Sequence, residues 1–330
     1  MLDRKDNLPF GQYARGFFTR TDEKSFRARQ RRFGRDWQEN TYNTYQRHLD
    51  NHAIPRFGSV LLEDLQDMDN DIEDWYLSLS SRYGKPMADS SKLKVLDALD
   101  TALSFALREH AISHNPCDLV GRLRCAPSGR RQADTFSKEE MAGLFPSDIN
   151  RIPFIWGSFN NALYFSILAD TGFRPGEALA INESSFTPNG GVFVTQAVDG
   201  VSLSVKDRIK TSGKGQGFKV GVLSPYTLRL KALCSPSKDG FFFSNPDGSF
   251  ERARHWNSVL EDALSSLGIP RLGRTQYCLR HTFYTDTMSR IGENGLKETD
   301  VRIMMGHSGY RPEYDHRTPE QMVERLRRVL

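Results

Sequence analysis

The chain has 330 residues, 26% of them charged and 11% aromatic, with a formal net charge of +4. That length exceeds the usual domain of roughly 100 to 200 residues, so two folded units are expected, and the aromatic content with nearly balanced charge excludes a disordered chain. No run approaches the roughly 18 apolar residues of a membrane span, and "MLDRKDNLPFGQYARGFF" carries no long apolar stretch behind its charges, so a cytoplasmic protein with no membrane partner is expected.

In chain order, "RARQRRFGR" (27 to 35) comes first, an arginine cluster suited to phosphates or to a solvated helix face. Tyr42, Tyr45, Leu49 and His52 then recur at helical spacing, a stripe that Pro55 and Gly58 end. "LEDLQDMDNDIEDWYLSLSSRYG" and "SKLKVLDALDTALSFALREHAI" follow, the second keeping Leu93, Leu96, Leu99, Leu103 and Leu107 on one helical face. Residues 1–121 therefore form a helical N-terminal domain. A linker rich in Pro, Gly and Arg, 122–135, holds Arg122, Arg124, Arg130 and Arg131, which suit contact with phosphates or a simply solvated linker.

The second domain, 136–330, opens with Ser137 and Glu140 in a capping-box pattern. One helix is expected through "NALYFSILADTGFRPGEALAI", then short strands in "GVFVTQAV", "VSLSVKDRI" and "FKVGVLS", with helices again from "ERARHWNSVLEDALSSLGI" to the C-terminal "PEQMVERLRRVL". The fold class is mainly α, an all-helical domain followed by a mixed, mostly helical one with a small antiparallel sheet. The four cysteines, Cys117, Cys125, Cys234 and Cys278, lack metal-ligand spacing and read as reduced structural thiols.

Four features of the second domain carry chemistry together: Arg174 in "TGFRPGEAL", Lys210 and Lys214 in "IKTSGKGQGFKV", Arg280 in "LRHTFYT", and His307 with Tyr310 and Tyr314 in "GHSGYRPEYDHRT". An arginine's planar fork donates two parallel charged hydrogen bonds, so two arginines can clamp one phosphodiester. A tyrosine attacking phosphorus needs its phenolate stabilised, and the leaving 5′ oxygen needs a proton that a hairpin lysine can supply. Taken singly, each residue is more often structural than catalytic; their ordered set is the signal.

That ordered set resembles the tyrosine recombinases of the phage integrase family, whose T-G-x-R-x-x-E, L-R-H-T-x-x-T and G-H motifs appear here as "TGFRPGEAL", "LRHTFYT" and "MGH". The resemblance covers roughly residues 9 to 330. It implies a core-binding domain in 1–121 and a catalytic domain in 136–330. It also implies phosphate binding by Arg174 and Arg280, a phosphate contact from His307, proton donation by Lys210 with Lys214 as rival, and attack by Tyr314. Tyr314 is preferred to Tyr310 because "YDH" resembles the family's Y-x-H ending. The chain departs from the pattern in a shorter interval between Gly-His and the tyrosine, and in Tyr277, which stands where histidine is usual. A phenol can donate a hydrogen bond to phosphate but does not change charge near neutral pH as imidazole does, so phosphate contact and packing both remain open for Tyr277.

What the resemblance implies is cleavage and rejoining of double-stranded DNA at attachment or crossover sites through a 3′-phosphotyrosyl intermediate, by a homotetramer, without metal or cofactor. Help from an excisionase or a DNA-bending protein is compatible with the resemblance and is not decided by the sequence. The C-terminal helix either docks on a neighbouring subunit, as in the family, or packs on its own chain. The rival readings are a catalytically silent DNA-binding protein, a tyrosine topoisomerase and a metal-dependent nuclease.

Overall fold

Helical periodicity dominates the sequence, and the computed structural model follows it. The structure describes residues 8–35, 37–81, 84–124, 135–209, 217–306 and 317–330. They divide into two compact units, Met1–Gly129 and Arg130–Leu330.

The first unit is built from α1 (Phe10–Ala14), α2 (Phe26–Arg32), α3 (Glu39–His48), α4 (Ile54–Phe57), α5 (Leu62–Leu65), α6 (Asp69–Ser78) and α7 (Asp89–Arg108). Leu96, Leu99 and Leu103, three and four apart on α7, are fully buried, with Leu93 and Leu107 packed at the edge of the same core. Aromatic rings fill the space beside them: Phe17 meets Phe18 at 4.9 Å, Phe26 at 5.4 Å and Phe105 at 5.4 Å between centroids. Such tilted and edge-on pairs add to the area they bury.

Of the two residues expected to end the helix carrying Tyr42 and Leu49, Pro55 does not stop it and Gly58 does. It passes through a π-type turn, Leu49–Ala53, and resumes as α4 with Pro55 in the first turn. The π-type turn shifts the hydrogen-bond register just before Pro55, where proline has no N–H to donate and its ring would crowd the carbonyl four residues earlier. Gly58 is the residue that caps this stretch.

The second unit contains α8 (Lys138–Leu144), α9 (Ile152–Trp156), α10 (Phe159–Thr171), α11 (Pro175–Leu179), β1 (Gly191–Val194), β2 (Ala197–Val198), β3 (Val205–Lys206), β4 (Lys219–Val222), α12 (Pro225–Leu233), α13 (Ala253–Ser266), α14 (Tyr277–Ser289), α15 (Glu298–Met305) and α16 (Pro319–Val329). The fold is mainly α. Its sheet structure is small and antiparallel: β1 pairs with β4, Val194 opposite Lys219, and β2 pairs with β3. The capping box before α8 is formed, since Ser137 Oγ accepts from the Glu140 amide at 3.2 Å and Glu140 Oε2 accepts from the Ser137 amide at 2.9 Å.

α10 is the central helix. Ala162 through Leu168 are all buried, as expected of a helix apolar on every side. The single helix expected through 161 to 181 is instead broken: α10 ends at Thr171, Gly172 turns left-handed at φ 62°, and α11 begins at Pro175 with Arg174 as its N-cap residue. A Cβ on Gly172 would lie 2.5 Å from a Phe283 ring carbon and 2.9 Å from Met305 Sδ, so both the turn and the close approach demand glycine. The apolar stripe of α16, Met322, Val323, Leu326 and Val329, is buried on its own chain in one core with Val220, Val301 and Met304. Among the described residues, no helix is long and apolar enough to cross a membrane.

Candidate functional site

The break after α10 builds the site. Arg174 starts α11, and Glu177, three residues on, reaches back: its Oε2 accepts from the Arg174 amide at 2.8 Å, and its Oε1 accepts from Arg174 Nη1 at 3.0 Å. Gly176 lets α11 come this close to β2, because a Cβ there would stand 2.4 Å from the Val198 carbonyl oxygen. The Arg174 side chain keeps 21% of its surface exposed, whereas Glu177 is buried. Among the described residues, Glu177 is the one side-chain partner of Arg174.

Arg280 approaches from α14, one helical turn in. Only 6% exposed, it donates through Nη1 to the Gly172 carbonyl and through Nη2 to the Met305 carbonyl at 2.8 Å. One guanidinium thus ties together the turn two residues before Arg174 and the end of α15 two residues before His307. Burial and the neighbouring positive charge of Arg174 bring Arg280 down to about 10, while Glu177 and Tyr277 oppose the shift. The two arginines that the sequence singled out, more than a hundred residues apart, therefore share one electrostatic locus.

Two further residues belong to this locus, and the sequence reading gave neither a role. Lys219, at the start of β4, is 1% exposed and places Nζ 2.6 Å from both Oε1 and Oε2 of Glu177. Burial disfavours a charged carboxylate, yet Lys219 and Arg174 hold Glu177 below the usual carboxylate range. Burial lowers the Lys219 ammonium below the ordinary lysine range; Glu177 draws it back up, and Arg174 and Arg280 add to the lowering. The available signal was a charged residue inside the otherwise apolar strand sequence "FKVGV".

Tyr277 is the first residue of α14, 45% exposed, one turn before Arg280 and close enough to influence its charge. At that exposure the Tyr277 ring is not part of the buried core. Lys210, Lys214, His307, Tyr310 and Tyr314 lie outside the described residues, as do Arg130 and Arg131. Ile209, which precedes Lys210, is buried, and Gly306, which precedes His307, closes α15 in the left-handed conformation.

The arginine runs sort differently. Arg122 reaches back to α7, with Nη1 2.6 Å from Asp97 and Nη2 2.6 Å from Asp100, one turn apart on the helix. The Leu123 amide bonds the Tyr76 hydroxyl at 3.2 Å, so the first linker residues are held on the first unit. Arg27 is engaged as well, pairing with Glu39 and lying over the Tyr42 ring at 4.7 Å. Arg124, Arg29, Arg31, Arg32 and Arg35 remain exposed.

Comparison with known proteins gives a consistent picture. No family model matches the chain. It is 24% identical over 249 residues to the tyrosine recombinase XerC of Bacillus pumilus (strain SAFR-032), covering 72% of either chain. It superposes on the Tn1549 transposon integrase in complex with transposon right end DNA with a TM-score of 0.68, at 16% identity over 98% of this chain and 99% of that one. On a lambda integrase tetramer bound to a Holliday junction the TM-score is 0.60, at 13% identity over 96% and 82% of the respective chains.

Proposed function

From a chain that resembles the tyrosine recombinases in sequence and has their fold, we propose a site-specific DNA recombinase that integrates or excises a mobile element. It is an enzyme that breaks and rejoins DNA strands. Tyr314 gives up its phenolic proton to solvent as its oxygen attacks the phosphorus of one phosphodiester, the bond to the 5′ oxygen breaks, and Lys210 protonates that oxygen. The phosphate then sits on Tyr314 as a 3′-phosphotyrosyl ester. A 5′-hydroxyl from the partner strand reverses the step, restoring the phosphodiester and the free tyrosine. The phosphotyrosyl bond conserves the energy, so no nucleotide is consumed.

The observation that carries this reading is the pairing of Arg174 and Arg280 at one locus, each anchored by protein partners. Fixed cations at the non-bridging oxygens are what a transition state with added negative charge needs, and preorganisation spares their reorganisation during reaction. His307 and Tyr277 supply further hydrogen bonds. The DNA in the Tn1549 and lambda integrase complexes supports double-stranded crossover sites as partners. The working form is a homotetramer on paired sites, with Arg124, Arg130 and Arg131 on phosphates and an excisionase or DNA-bending protein as helper.

A nicked duplex carrying the crossover site tests this, because the short strand released on cleavage diffuses away and traps the covalent adduct. Adduct formation in EDTA supports the proposal. Site binding with no adduct would instead mark a catalytically silent DNA-binding protein, and relaxation of arbitrary supercoiled plasmid a topoisomerase.

A further inference from the structure

Lys219 is buried at the back of the site, with its ammonium bridging both oxygens of Glu177 at 2.6 Å. Buried ion pairs are weak stabilisers, and well-packed apolar replacements often fold as well or better, so stability alone gives little account of this one. Geometry gives a better one. A carboxylate beside an arginine favours the two-pronged pairing that occupies the whole edge of the guanidinium. Here Glu177 makes only one bond to the Arg174 side chain, Nη1 to Oε1 at 3.0 Å, while Oε2 takes the Arg174 amide.

Behind the carboxylate, Lys219 Nζ bonds both oxygens, so Oε2 is shared by Lys219 and the Arg174 amide and Oε1 by Lys219 and Arg174 Nη1. We propose that Lys219 is a positioning residue: by holding Glu177 from behind, it limits Arg174 to a single side-chain bond and leaves the rest of its fork for one DNA phosphate. This rests on the recombinase reading for the identity of the anion. Buried as it is, Lys219 acts through Glu177 and Arg174.

The test compares Lys219→Met, Lys219→Arg and the double variant Lys219→Met/Glu177→Gln with wild type. In single-turnover cleavage of the nicked duplex, Lys219→Met is expected to be 10- to 100-fold slower. Lys219→Arg should regain at least half of that loss on a logarithmic scale. The double variant, which removes the uncompensated carboxylate, should also be faster than Lys219→Met alone. In an Arg174→Ala background, Lys219→Met should cost no more than twofold further. A purely structural lysine would give the same loss in both backgrounds, and a wild-type rate in Lys219→Met would also overturn the proposal.

A second readout needs no cleavage. Replacing the crossover phosphate by a neutral methylphosphonate should weaken wild-type binding several-fold and leave binding by Lys219→Met unchanged. Equal weakening of both proteins would refute the role of Lys219. Absence of any adduct from wild type would refute the recombinase reading instead, with this binding comparison still deciding the inference.

Discussion

Arg280 spends its two terminal nitrogens on the backbone carbonyls of Gly172 and Met305, so its loss disturbs scaffold and charge together. Arg280→Lys keeps a cation but not the fork. Adduct formation is expected to fall by about 10²-fold or more, and stability by about 1–3 kcal/mol from a carbonyl left unpaired, read by urea unfolding. Glu177 adds a pH dependence. Its carboxyl lies below the unfolded value of roughly 4.3, so its stabilising contribution is complete above that pH and is lost as pH falls through the folded value. The stability gap between wild type and Glu177→Gln should therefore be widest near neutrality and narrow below about pH 4.3; a gap unchanged down to pH 3 would contradict the pairing. Arg174 and Arg280 were legible because each stands in a distinctive local motif. Lys219 was not, since its partner lies 42 residues away and the one local signal, a charge within the apolar "FKVGV", does not name that partner.

Among the elements, the separation of α10 from α11 matters most to the site. Apolar periodicity continues across "LADTGFRPGEAL" and suggests one helix, but Gly172 and the Pro175 ring, which fits a first helical turn, divide it. The division frees Arg174 to stand at an N-cap. Gly172→Ala should cost at least about 1–2 kcal/mol from the left-handed turn alone, with a further loss from the collision with Phe283 and Met305, and should impair cleavage by displacing Arg174 and Arg280 together. Pro55 misled in the opposite sense, because proline reads as a stop unless a π-type turn resets the register before it. The C-terminal helix admitted two dockings from its sequence, as amphipathicity names a buried face but not what buries it. With that face on its own chain, Leu326→Ala should destabilise by about 2–5 kcal/mol. The loss should be the same at low and high protein concentration; a concentration-dependent loss would indicate docking on another copy.

At the scale of the whole molecule, the modest net charge of +4 leaves DNA affinity to local clusters. Binding to phosphates should fall steeply with salt, the logarithm of the binding constant declining by about 0.9 per phosphate contact for each unit of log salt. Arg124→Ala should reduce that slope by about one, whereas Arg122→Ala, whose guanidinium is paired with Asp97 and Asp100, should leave the slope unchanged and lower stability. The ordered motifs conveyed the overall class from sequence alone, because each is a short local pattern that resembles one family in the same order; the target DNA sequence leaves no comparable pattern. The most direct measurement is peptide mapping of the covalent adduct trapped on the nicked crossover duplex. The account predicts a phosphotyrosyl nucleotide on Tyr314, abolished by Tyr314→Phe and reduced at least 10²-fold by Arg174→Ala. An adduct on Tyr310 or Tyr277, or one that survives Tyr314→Phe, would contradict it.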